Sequence, residues 1–167
     1  MTYLDRIEET VVREIRLAGL LNEPAPNDRA LCDLDAEAEL CSAAMAGDVV
    51  PSELDLPGSE FYSDLLAHVW VAVDALDELG REPTVEMVLV ALDASGFRGP
   101  LLEREVERIR WAQPYASPEG IRARAARIRE LARKRRLLKS LERLTLDVRM
   151  GLALSEARIT LERLAGL

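Results

Sequence analysis

The densest charge in this sequence is the run Arg133-Lys134-Arg135-Arg136, extended by Lys139 and Arg143. Guanidinium forks and ammonium groups at that density suit phosphate oxygens or an acidic protein surface, and on a helix the same run also makes a solvated face. The wider charge pattern is uneven. Residues 104–149 hold 14 basic and 6 acidic groups, while residues 1–103 hold 6 basic and 22 acidic ones, within a chain of net charge −8. Such a sign change fits a nucleic-acid surface, with contacts from Arg133, Lys134, Arg135, Arg136 and Lys139. A basic hairpin of one subunit lying near the acidic bundle of another fits it better. The acidic bulk would repel a phosphate backbone, so wrapping of duplex DNA by the whole chain is not expected.

No reaction chemistry assembles around the other functional groups. His68 is the single histidine and lies among Leu65, Val69 and Trp70, with no nucleophile or orienting group to pair with it. Glu37 and Glu39 are two residues apart and do not share a helix face, so a carboxylate metal pair is not expected; capping and the helix dipole account for them. Cys32 and Cys41 are too few for a disulfide framework, and no second Cys or His pair completes a zinc site; both read as small core thiols. Trp70 and Trp111 read as core or hairpin-base anchors. The glycines are isolated, and none opens a phosphate-cradling G-x-x-x-x-G-K-[S/T] loop. No catalytic, cofactor or metal site is therefore expected, and the chain is expected to act by binding other proteins.

The elements that would carry these residues are helices. Leu, Ala, Glu and Arg dominate and aromatics make up only 4%, an alphabet that favours helix over strand. Leu4, Ile7, Val11, Ile15 and Ala18 mark an amphipathic helix within residues 1–21, and Pro24 and Pro26 lie in a linker over residues 22–31. Asp33 or Asp35 opens a helix that runs to Ala46 and stops at Gly47. Ser59 or Ser63 opens the next, which carries Leu65, Leu66, Val69, Val73 and Leu76 to Gly80; Thr84 caps a helix over 85–94 ended by Ser95 and Gly96. A short helix follows over 100–111. Ser117 with Pro118 then starts a long one to Val148, about 45 Å at 1.5 Å per residue. Its apolar stripe is Ile121, Ala125, Ile128, Ala132, Leu138, Leu141 and Val148. Gly151 breaks it, and Ser155 with Glu156 begins a last helix bearing Ile159, Leu161, Leu164 and Leu167, which makes an αα-hairpin. The expected fold is all-α: an acidic helical bundle over 32–116 followed by a basic C-terminal helical hairpin over 117–167. The charged N-terminus has no apolar signal core, and no stretch approaches the roughly 20 apolar residues of a membrane span, so a cytoplasmic chain with no membrane contact is expected.

A set of short motifs points further. Asp35-Ala36-Glu37-Ala38-Glu39 precedes Leu40, Ala43, Ala44 and Met45; Phe61-Tyr62, Leu76, Gly80 and Pro83 follow; Ile121, Ala126, Ile128, Arg136, Leu137 and Leu138 come later. In order and spacing this resembles the N-terminal domain of DnaB-type replicative helicases, from about Pro24 to the C-terminus. The primase C-terminal helicase-binding domain is similar in shape and stands close behind. Departures are Leu66 where the family usually has His, Ser42 or Ala43 where it usually has Gly, and a shortened loop around Gly96 to Pro100. The resemblance implies a bundle-plus-hairpin fold, hairpins that pair between subunits into a dimer or ring, and an outer face that recruits primase or a helicase loader. It implies a detached or excised N-terminal domain, without the ATP-driven motor. The apolar residues placed to carry self-association are Ile128, Leu138, Leu141, Val148, Ile159 and Leu164. The alternative is a nucleic-acid-binding regulator that uses the basic helix over 122–143; on the first reading nucleic acid is met only weakly or through partners.

Overall fold

In a computed structural model of the chain, residues 31–112 and 117–149 are described, together with positions 156, 159, 160 and 163. The helix expected within residues 1–21 and its linker, up to residue 30, lie outside the described residues. So does most of the second hairpin arm. Among the described residues the fold is all-α, with five α-helices and no strand.

Helix α1 (Leu34–Ala46) is the centre of the assembly. Asp33 caps it by accepting the Ala36 amide at 3.2 Å, and Gly47, at φ 78°, ends it in the left-handed conformation. The amides of Gly47 and Asp48 then return to Ala44 O and Ala43 O, which satisfies carbonyls left open by the last turn. Ala36, Leu40, Cys41, Ala43, Ala44 and Met45 are all buried. The small side chains let neighbouring backbones approach, and α1 packs against α2, α4 and α5 at once. A helix covered on several sides needs no polar stripe, and α1 has little of one.

Two 3-10 turns, Pro51–Leu54 and Gly58–Glu60, lead to α2 (Asp64–Glu78), which Ser63 caps through the Leu66 amide. Trp70, Val69, Val73 and Leu76 are buried on α2. The Trp70 indole N–H donates to Leu56 O at 2.8 Å, and its ring lies 5.5 Å from that of Phe61, so the polar end of a large side chain is satisfied inside the core. Thr84 caps α3 (Val85–Ala94) through the Met87 amide. Helix α4 (Leu102–Arg110) buries Val106 and Ile109. Helix α2 packs on α3, α3 on α4, and α1 closes the bundle against α2 and α4.

Helix α5 (Pro118–Arg149) is the longest, with 32 residues and a length of about 48 Å. Ser117 accepts the Gly120 amide at 3.1 Å and Pro118 occupies the first helical position, as its fixed φ and missing N–H favour. Ile121, Ala125, Ile128, Leu131 and Ala132 pack the first half against the bundle. From Leu137 onward the helix carries no buried side chain among the described residues. Positions 156, 159, 160 and 163 have helical backbone, and the Thr160 hydroxyl donates to Glu156 O.

Candidate interaction surfaces on helix α5

The basic helix is divided lengthwise by what its cations meet. On one flank they are spent inside the chain. Arg124 pairs with Glu39 and Arg127 with Asp33 at 3.7 Å, while across the helix Arg136 pairs with Glu60 at 3.1 Å. Gly120 leaves room for the first of these: a Cβ there would come within 2.8 Å of Arg124 Nη1. Arg135 is 8% exposed; it donates to Leu31 O at 2.7 Å and to Glu60 O, and its guanidinium lies 5.8 Å from the Tyr62 ring. The expectation that Arg135 contacts an outside polyanion is thereby corrected. The basic segment lies against the acidic region of its own chain, and these arginines knit α5 to α1 and to the turn before α2.

Glu37 completes this layer. It is buried on α1, and its two carboxylate oxygens accept the Tyr62 amide at 2.7 Å and the Ser63 amide at 3.1 Å. It therefore supports the start of α2, a different helix from its own. Burial raises its pKa; the two amides and the Arg135 charge oppose that effect without cancelling it. The sequence reading of Glu37 as a local cap missed this, although its place among Ala36, Leu40 and Cys41 was a signal of burial.

The other flank is different. Arg122, Arg129, Arg133, Lys139 and Arg143 are exposed, and among the described residues no carboxylate pairs with them. Lys134 is held by Glu130 at 2.5 Å within the helix. Of the cations singled out from sequence, Arg133 and Lys139 are therefore open, Lys134 and Arg136 are paired at the surface, and Arg135 is inside. Arg122 and Arg129 were not singled out. Their signal was the seven-residue spacing of Arg122, Arg129, Arg136 and Arg143, which puts four arginines on one side of a helix.

The apolar residues divide as well, along the length of the helix. Ile128 is 1% exposed and belongs to the core, so it cannot serve a surface between subunits, contrary to expectation. Leu138 is 43% exposed, Leu137 40% and Leu146 58%, although Leu137 and Leu146 were not among the residues chosen from sequence. Leu137 and Leu141 are four apart on the side of α5 away from Ile121, Ala125 and Ile128. Leu141 is half-buried and Ile159 is exposed. The Val148 side chain and Leu164 lie outside the described residues.

The remaining groups with potential chemistry are accounted for by packing. His68 is buried against Phe97, and its Nδ1 lies 2.6 Å from Asp64 O, an acceptor, which puts the proton on Nδ1. Cys41 is buried with Sγ 3.3 Å from Leu66 O; burial, aided by the Glu37 charge, pushes its thiol pKa up and disfavours the nucleophilic thiolate. Cys32 is half-buried. Trp70 is core, but Trp111 is 70% exposed beside Arg110, at the rim of a cleft of about 620 Å³ lined also by Leu34, Ala38 and Leu65. Among the described residues, no group of three or more His, Cys, Asp or Glu could hold a metal ion, and no helix is long and apolar enough to cross a membrane.

Among the described residues the fold is an all-α bundle built round a buried central helix, with a long fifth helix that outruns it. No protein-family model, curated protein or solved structure matches the chain.

Proposed function

We propose that this protein is a primosome-type protein–protein interaction module of DNA replication, akin to the N-terminal domain of replicative helicases. It self-associates through the second half of α5 and the segment after it, as the second arm of a hairpin, and recruits primase or a helicase loader in the cytoplasm. The observation that supports this most is the set of exposed leucines at 137, 138 and 146 on the part of α5 that runs past the bundle. Large apolar groups held on a rigid helix with no cover among the described residues favour burial against a partner, and each leucine removed from water contributes roughly 1.5–3 kcal/mol. The order of the sequence motifs supplies the replication context. The role requires neither a catalytic group nor a cofactor.

Light scattering tests this reading. The protein should run as a dimer or larger ring, and Leu137→Asp with Leu138→Asp should shift it to monomer while its helical circular dichroism is retained. A wild-type monomer at high micromolar concentration would overturn the reading.

A further inference from the structure

We infer that the open flank of α5 is a contact site for the phosphodiester backbone of duplex nucleic acid, made by Arg122, Arg129, Arg133 and Arg143. One line along the helix reads Arg122, Ala126, Arg129, Arg133, Arg136, Ser140, Arg143, at successive spacings of three or four residues. No carboxylate occupies it. At 1.5 Å per residue the line is about 31 Å long, close to one turn of the duplex. Of the acids beside it, Glu119 and Asp147 stand at its two ends, and Glu130, alongside its middle, is engaged by Lys134 and Arg127. Glu39 and Asp33 are engaged by Arg124 and Arg127 on the opposite flank, and Glu60 is engaged by Arg136, the one member of the line that is paired. What remains is a row of exposed guanidinium groups on one rigid element.

Two features favour a polyanion of regular charge over an acidic protein. The line bears no Trp, Tyr, Leu or Met that could act as the desolvated anchor of a protein interface. Arginine presents a planar fork to phosphate oxygens, and every open position on the line is arginine. The absence of aromatics also removes base stacking, so the contact reads charge and not sequence. The site is narrow, and the acidic remainder of the chain limits it to a few phosphates. This explains how a protein of net charge −8 can touch nucleic acid without wrapping it. Leu137 adjoins the line beside Arg133, whereas Leu138 and Leu146 lie off it, so the arginines and most of the exposed leucines can be altered separately.

Fluorescence anisotropy with labelled duplexes of about 20 base pairs, of unrelated sequence, tests this directly. The full chain should bind them alike, with log Kd rising against log salt at a slope of about 3 to 4 and affinity falling on the order of a hundredfold between about 50 and 200 mM salt. The triple variant Arg122→Gln, Arg129→Gln, Arg133→Gln should weaken binding at least about tenfold and lower that slope by about 2 to 3. Arg98→Gln, Arg104→Gln, Arg108→Gln removes the same charge from exposed positions elsewhere and should change affinity less than about twofold. Circular dichroism checks that both variants fold, and the separate substitutions Arg122→Gln and Arg133→Gln give the same reading at smaller amplitude if either triple does not. Absence of binding at about 20 mM salt, equal loss in the two triples, or tighter binding of single strands than duplex would overturn the proposal. So would a stripe variant that loses its oligomeric state while its DNA affinity is unchanged, since that result assigns the stripe to a second protein chain.

Discussion

The two halves of α5 are written in the same alphabet of Arg, Leu, Ala and Glu, yet they meet opposite fates. From Pro118 to Arg136 every large apolar side chain, Ile121, Ile128 and Leu131, is closed against the bundle together with Ala125 and Ala132, and only Ala123 and Ala126 face out. From Leu137 to Arg149 the exposed leucines are as large as any of those residues, yet none of the described side chains is buried. The difference lies in what stands opposite. Ala125 and Ala132 are small, and they face a helix whose buried surface is itself rich in alanine, so α5 and α1 approach closely. Beyond Arg136 the bundle ends. Hydrophobicity alone does not decide burial; a complementary surface within reach does.

The strongest way to break this comparison is to put the same charge into each half. Ile128→Asp places a carboxylate at a position 1% exposed and should abolish cooperative unfolding at neutral pH. The milder Ile128→Ala should cost about 2–5 kcal/mol in urea denaturation. Leu138→Asp should change monomer stability by less than about 0.5 kcal/mol and act on assembly instead. If both aspartates destabilised the isolated chain equally, the second half of α5 would be part of the core.

Glu37 gives the next largest effect. Glu37→Ala leaves the Tyr62 and Ser63 amides without their buried acceptor and Arg135 without a nearby opposite charge, and should cost about 2–4 kcal/mol at pH 7. Its titration has a definite sign. The folded-state pKa is raised above the ordinary carboxylate value, so the folded chain holds this proton more tightly than the unfolded one. That contribution to stability is fully present below the unfolded pKa and is lost as pH rises through the folded pKa. The stability of wild type relative to Glu37→Gln should therefore fall as pH increases over that window and then level off. Paired denaturation curves at several pH values measure it, and a difference that grew with pH would reverse the sign assigned to the site.

Much of the helical framework could be read from local chemistry. Thr84 and Ser117 cap the helices they were expected to open, Asp33 and Ser63 do so in preference to the alternatives Asp35 and Ser59, and Gly47, Gly80 and Gly96 take positive φ where chains turn out of them. Caps and breakers act within four residues, so spacing alone reveals them. The surfaces were less legible because they depend on contacts far apart in the chain. Arg135 and Glu60 meet across 75 positions, and Arg124 and Glu39 across 85. A run such as Arg133 to Arg136 looks uniform in sequence, but each step round the helix turns a side chain by about 100°, and only the bundle's position tells which of the four is buried. Trp111 was misjudged for the same reason: it follows the last turn of α4, past the buried Ile109.

The smallest expected effect separates the two flanks of α5. A double-mutant cycle on Arg124 and Glu39, whose side chains are about three-quarters buried, should give a coupling of about 1 kcal/mol. The same cycle on Lys134 and Glu130, half-exposed and within one helix, should give no measurable shift in the denaturation midpoint, even though Lys134 holds the Glu130 pKa down. Raising the salt should leave the first coupling largely intact, because partial burial limits screening. The geometry predicts this asymmetry from position alone, since Arg124 ties α5 to α1 whereas Lys134 ties α5 only to itself. Equal couplings would mean that the interior flank contributes no more to docking than a solvated ion pair. The closure of α5 on α1 would then rest on Ile121, Ala125, Ile128 and Ala132 alone.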